Sequence, residues 1–137
     1  MRSAGSPVRF GLAALAVALG GGIGAAVRFA VATWFAARFG AGFPWGTLTI
    51  NLTGSFALGV IVTLAASRAG IGPYTRAFLT TGILGGYTTF STFAFESYSL
   101  GADGSYARGA AYVAGSVIGG VLAAYAGVVA ARLAVGS

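Results

Sequence analysis

The sequence predicts an all-α integral membrane protein with four transmembrane helices in a single domain. Of its 137 residues, 57% are hydrophobic and only 7% are charged, whereas soluble domains carry roughly 25% charged residues. The charged residues also separate four uncharged stretches, at residues 10–27, 39–67, 77–95 and 109–131. Because a helix needs about 20 apolar residues to cross the hydrocarbon core, each stretch is close to or above one crossing.

The first two helices are predicted over residues 10–37 and 45–67. The first continues through Arg28, because the residues after this arginine are again apolar. The turn that follows combines glycines with Pro44 and the interfacial aromatic Trp45. The second helix carries a stripe of polar side chains at multiples of four, and a spacing of four puts them on one face: Thr47, Asn51, Ser55 and Thr63.

The third and fourth helices are predicted over residues 75–99 and 107–132. Residues 82–93 of the third combine glycines with hydroxyl and β-branched residues, all poor helix formers. Composition leaves two interpretations open: a glycine-rich packing face, or a broken helix whose free carbonyls coordinate a cation. The fourth helix carries a shorter polar stripe, Tyr112 and Ser116.

Three pairs of glycines four residues apart favour close helix packing, at positions 20/24, 82/86 and 115/119. Packing within one subunit is the favoured interpretation of each pair. Four tightly packed helices leave no central aqueous lumen. A conduction pathway would therefore lie at a subunit interface or along a helix face.

The composition also excludes most side-chain catalysis. The chain has no histidine and no cysteine, and its two acids are Glu96 and Asp103. Zinc sites, thiol nucleophiles and histidine relays are excluded, and no catalytic residue is expected. The net charge of +6 comes from arginines that flank the spans, so we expect them to anchor the helices at lipid headgroups and not to bind nucleic acid.

Three residues stand out as chemically informative inside the spans. An asparagine amide at membrane depth needs a partner, whereas serine and threonine can bond to their own helix, so Asn51 favours a functional or interfacial role. Phe90 and Phe93 lie three residues apart, a spacing that on composition alone indicates packing or lipid contact. Their ring edges are partly positive, however, and with amide and hydroxyl hydrogens they could hold a small anion.

Three motifs are found along the chain: GGGIGAAVRF at residues 20–29, GTLTINLTGSF at 46–56 and TTFSTFAFE at 88–96. They resemble the motifs of the Fluc (CrcB) family of fluoride channels. They occur in order, and the hydropathy fits from about residue 10 to residue 132. The resemblance implies a passive, fluoride-selective channel, a multi-pass protein of the bacterial inner membrane. It implies a third helix broken near mid-membrane and an antiparallel, dual-topology dimer with two pores.

The resemblance also implies roles for individual residues. Those implied to form the fluoride pathway are uncharged: Thr47, Asn51, Phe90, Phe93, Tyr112 and Ser116. Arg28 would lie near a vestibule and Glu96 at a pore rim. A structural sodium ion, which is not transported, would bind the backbone carbonyls of Gly85 and Thr88.

Two departures from the family pattern affect these expectations. One turn after Ser116, where related helices often carry another hydroxyl, this chain has Gly120. The arginines are also unevenly divided between the two sides of the membrane. The side of the termini has five, and the other side has two, or three if Arg28 is counted there: Arg2, Arg9, Arg68, Arg76 and Arg132, against Arg38 and Arg108. The bias weakly favours cytoplasmic termini. It leaves a heterodimer of two fixed orientations open beside the homodimer.

A small multidrug-type proton-coupled exporter is the alternative function. Such an exporter also has four helices and about this length. It needs an acidic residue inside a span to carry protons, and here only Glu96 lies near one, at its end. The channel is therefore the preferred hypothesis.

Overall fold

The computed structural model describes residues 7–67 and 70–136, whose regular secondary structure is helical with no strand among them. The all-α expectation is confirmed. Among these described residues, three helices are long and apolar enough to cross a membrane: Val8–Phe39, Trp45–Ala66 and Tyr106–Val135. Few apolar side chains are buried within the described chain, and most large ones face outward, as in a protein whose surroundings are lipid.

Three helices are continuous, namely α1 (Pro7–Phe39), α2 (Trp45–Ala66) and α6 (Tyr106–Val135). Residues 73–102 contain the segment predicted as the third transmembrane helix, and we call them the third span. They form four pieces: α3 (Pro73–Ala77), a π-helical segment (Phe78–Leu84), α4 (Gly85–Tyr87) and α5 (Phe90–Ala102). The expected break in this span is confirmed, and it falls between α4 and α5.

Glycines set the two closest helix contacts. A Cβ atom on Gly24 would overlap the carbonyl oxygen of Ile83, and one on Gly86 would overlap that of Gly21. The glycines at 20/24 and 82/86 thus form one contact between α1 and the third span, within the subunit. On the other side, Gly59 meets the Ala124 carbonyl across α2 and α6. The glycine-rich segment of the third span is therefore both broken and a packing face.

The loops after α1 and α5 lie at the same end of the bundle. Arg108 joins them, since its Nη1 donates to the Gly42 carbonyl (2.9 Å) and its Nη2 to the Ser105 hydroxyl (2.6 Å). Arg38, in the last turn of α1, is at this end, while Arg132, in the last turn of α6, is at the other. Two arginines of the orientation count, Arg2 and Arg68, lie outside the described residues.

Candidate functional site

The break in the third span is two residues of extended chain. Thr88 has φ −78° and ψ 157°, and Thr89 has φ −150° and ψ 119°. Thr89 also begins the next helix, because its Oγ1 accepts a hydrogen bond from the backbone N–H of Thr92 (3.3 Å). A threonine at this position satisfies one of the N–H groups that a helix start leaves free.

Asn51 holds the extended chain in place. Its Nδ2 donates to the carbonyl of Thr89 (3.0 Å), and its Oδ1 accepts from the N–H of Thr89 (2.9 Å). An amide inside a span is expected to need a hydrogen-bond partner, and for Asn51 this partner is the backbone of Thr89 in the break. Because a carboxamide carries two N–H donors, this pair of bonds uses only one of them.

Glu96 lies between Thr47 and Tyr112, two residues of the predicted fluoride pathway. Its Oε1 accepts from the hydroxyl of Thr47 (2.9 Å), and its Oε2 accepts from that of Tyr112 (2.6 Å). Tyr112 and Thr47 are buried, and Glu96 is half-buried. One carboxylate thus links α2, α5 and α6, and it accepts the hydroxyl hydrogens of both Thr47 and Tyr112.

The two phenylalanines belong to a longer row of rings. The ring centroids of Phe90 and Phe93 are 5.7 Å apart, those of Phe93 and Tyr112 5.4 Å, and those of Tyr112 and Phe43 5.6 Å. Phe90, at the open end of the row, is 79% exposed on the subunit. No sequence pattern predicts that Phe43, a turn residue, joins this row, because its position depends on the fold of the loop.

Arg28 lies about three turns before the end of α1. It lines a cavity of about 240 Å³ together with Thr47, Thr89 and Thr92. Arg28 thus lies beside the break and beside Thr47, a residue of the predicted fluoride pathway. A positive charge at this place raises the local concentration of anions.

A second cavity, of about 340 Å³, lies at the surface of the subunit along the break. Its walls bring together the predicted fluoride ligands Asn51 and Phe90 and the predicted sodium ligands Gly85 and Thr88. Ser55, a member of the α2 stripe that sequence reasoning left out of the candidate site, also lines it. Its spacing of four residues from Asn51, within the polar stripe of α2, is the sequence pattern that could have identified Ser55 as a site residue.

Ser116 completes the set of predicted pathway residues. Its Oγ is buried and has no hydrogen-bond partner within the described part of the chain. A buried hydroxyl without a partner costs roughly 1–3 kcal/mol. The position therefore suits a small polar ligand.

Comparisons with known proteins agree on one family. The profile described as "CrcB-like protein, Camphor Resistance (CrcB)" matches residues 15–128. The chain is 46% identical over 114 residues to the "Fluoride-specific ion channel FluC" of Chloroflexus aurantiacus, covering 83% of this chain and 90% of that protein. It is 48% identical over 118 residues to the protein of the same name from Chlorobium chlorochromatii, covering 86% and 91%. The protein of that name from Rhizobium meliloti is 42% identical over 118 residues, with 86% and 94% covered.

Proposed function

Because this chain belongs to the CrcB family, we propose that it is a fluoride-selective ion channel. It is a multi-pass protein of the bacterial inner membrane, and its activity is transport and not catalysis. Fluoride leaves the cytoplasm passively through it, which lowers fluoride toxicity. The observation that carries the proposal on the structural side is the cavity along the break, where Asn51 and Phe90 meet without a fixed positive charge.

Fluoride is small and strongly hydrated, so a pathway has to replace its water while keeping each site weak enough to release the ion. The second Nδ2 hydrogen of Asn51, the hydroxyl of Ser116 and the ring edges of Phe90 and Phe93 supply such donors, while Thr47 and Tyr112 line the pathway with their hydroxyl hydrogens held by Glu96. Arg28 draws the anion toward the break from the neighbouring cavity. Glu96 orients the hydroxyls of Thr47 and Tyr112, since it accepts from both.

The break also suits a structural sodium ion. In a continuous helix, the carbonyls of Gly85 and Thr88 would accept from the N–H groups four residues later, those of Thr89 and Thr92. Here the Thr89 N–H donates to Asn51 and the Thr92 N–H to the Thr89 hydroxyl. The two carbonyls are thereby released, and carbonyl oxygens are ligands that hard cations accept. Gly85 and Thr88 would hold the ion, and its charge would stabilise the broken backbone.

An antiparallel, dual-topology homodimer is part of the proposal. Irregular backbone at membrane depth is tolerated only where protein or a cavity shelters it. Gly85 and Phe90, which flank the break, are exposed on the single subunit. A second copy packed over this surface shelters both from lipid. A paralogous subunit of fixed orientation would cover the same surface in a heterodimer.

Purified protein in liposomes is expected to release fluoride down its gradient and chloride far more slowly. An electrode measurement of both ions, in vesicles with and without protein, tests this. Equal rates for the two ions would contradict the selectivity. A requirement for a proton gradient would contradict a passive channel. Because only this chain is reconstituted, release also shows that no second kind of subunit is needed.

Replacing Phe90 or Phe93 with isoleucine is expected to slow fluoride release by roughly ten-fold or more, since each substitution removes a ring edge that the anion contacts. Phe10→Ile is the matched control, because Phe10 is 76% exposed, close to the 79% of Phe90, and lies outside the row of rings. Gel filtration checks that each variant keeps its assembly. If both variants released fluoride at the wild-type rate, the two rings would contribute only to packing and not to anion binding.

A further inference from the structure

The geometry points to Ser55 as a further ligand of the permeating anion, one turn beyond Asn51 on α2. We propose that its hydroxyl donates to fluoride in the surface cavity along the break. The inference rests on the proposed channel function. It adds to the pathway a ligand that lies one helical turn further along α2 than Asn51, opposite the position one turn past Ser116 on α6.

The hydroxyl of Ser55 is free to act on a ligand. The hydroxyls of Thr53, Thr88 and Ser97 all donate to a carbonyl four residues earlier, at 2.7, 2.9 and 2.7 Å. Serine and threonine in apolar helices commonly satisfy themselves in this way. The hydroxyl of Ser55, in contrast, has no hydrogen-bond partner anywhere in residues 7–67 and 70–136. Its donor is therefore available inside the span.

Ser55 also faces a gap in the opposite helix. A Cβ atom on Gly120 of α6 would lie 3.8 Å from the Ser55 Oγ, so the missing side chain at position 120 leaves space beside the hydroxyl. One turn earlier on α6 is Ser116, whose buried Oγ also lacks a partner among the described residues. The free hydroxyls of Ser55 on α2 and Ser116 on α6 thus lie about one helical turn apart along the groove between the two helices.

The groove between α2 and α6 closes directly beyond Ser55. At Gly59 and Gly127 the two helix backbones touch, because Cβ atoms there would overlap the carbonyls of Ala124 and Phe56. An ion at the level of Ser55 therefore has no way further along this groove. The cavity that Ser55 shares with Asn51 and Phe90 is the exit, and Thr63, two turns further on α2, lies behind the closed contact.

Fluoride release from liposomes containing Ser55→Ala tests the inference. We expect release to slow by roughly ten-fold, since the anion loses a donor at one level of its path. Thr63→Ala is the matched control, because it removes a hydroxyl from the same stripe behind the closed contact; its release should equal that of the wild type. Adding Gly120→Ser to Ser55→Ala should restore release, because the new hydroxyl projects into the same gap.

The paired substitutions Ser55→Thr and Ser55→Val separate the hydroxyl from its volume, since threonine and valine have nearly the same shape. Fast release with threonine and slow release with valine supports the inference. Equal release from this pair, or wild-type release from Ser55→Ala, overturns it. If the wild type itself released no fluoride, the proposed channel function would fail instead, so the two failures are distinguishable.

Discussion

Replacing Asn51 with leucine is expected to stop fluoride release and to loosen the third span. Leucine has nearly the same volume but removes both bonds to the Thr89 backbone, at 3.0 and 2.9 Å. Thr89 is buried, and a buried backbone group left without its partner costs on the order of 2 kcal/mol. The substitution also removes the second amide hydrogen that the proposed pathway offers to the anion. Liposome release and thermal unfolding in detergent measure the two effects.

Thr49→Val is the control for Asn51→Leu. Thr49 lies two residues away on the same helix, and its bond to Thr53 uses the backbone carbonyl, which valine retains. We expect wild-type release and an unchanged unfolding temperature. If Asn51→Leu conducted like the wild type, neither the support of the break nor donation by Asn51 would be needed for permeation. A less stable but fully conducting variant would leave Asn51 a purely structural residue.

Replacing Gly24 with alanine is expected to prevent correct assembly, because the added methyl group would collide with the Ile83 carbonyl oxygen and lie 2.8 Å from the Tyr87 backbone nitrogen. Both neighbours are backbone atoms and cannot rotate away. Overpacking of this kind costs about 3 kcal/mol, and it pushes α1 away from the helix that carries the break. The yield of protein that runs as a single gel-filtration peak, and its fluoride release, should both fall sharply.

Gly22→Ala is the matched control for Gly24→Ala. Gly22 belongs to the same glycine run, but a Cβ atom on it meets nothing within 4 Å. Alanine is a better helix former than glycine by about 1 kcal/mol, so this variant should assemble and conduct at least as well as the wild type. Equal behaviour of the two variants would mean that the contact between α1 and the third span is not as close as the structure has it.

The helices could be predicted because lipid imposes a simple rule on the sequence. Charges are expensive in hydrocarbon, so uncharged stretches mark the crossings. The break could not be decided from residues 82–93 by composition, because a packing face and a broken helix use the same glycines and threonines. In the structure the segment does both: Gly86 packs against α1, while Thr88 and Thr89 are extended.

The candidate site was less predictable than the helices. The need of Asn51 for a partner followed from its chemistry, but the partner, the Thr89 backbone, is 38 residues away. The hydrogen bond from Thr47 to Glu96 joins residues 49 apart in the sequence, and no local spacing of residues predicts it. Ser55 was visible on the polar stripe of α2, yet its free hydroxyl and the gap at Gly120 depend on how two helices face each other.

Arg108 has a consequence for how the chain inserts. Its guanidinium reaches the Gly42 carbonyl across 66 residues, between the turns of the α1–α2 hairpin and the α5–α6 hairpin. The hairpins leave the ribosome one after the other, so this bond forms only once both turns have reached the same face of the bilayer. A chain with one hairpin inverted would leave the arginine without this carbonyl. In the folded molecule, Arg108 therefore ties the two hairpins to one shared orientation.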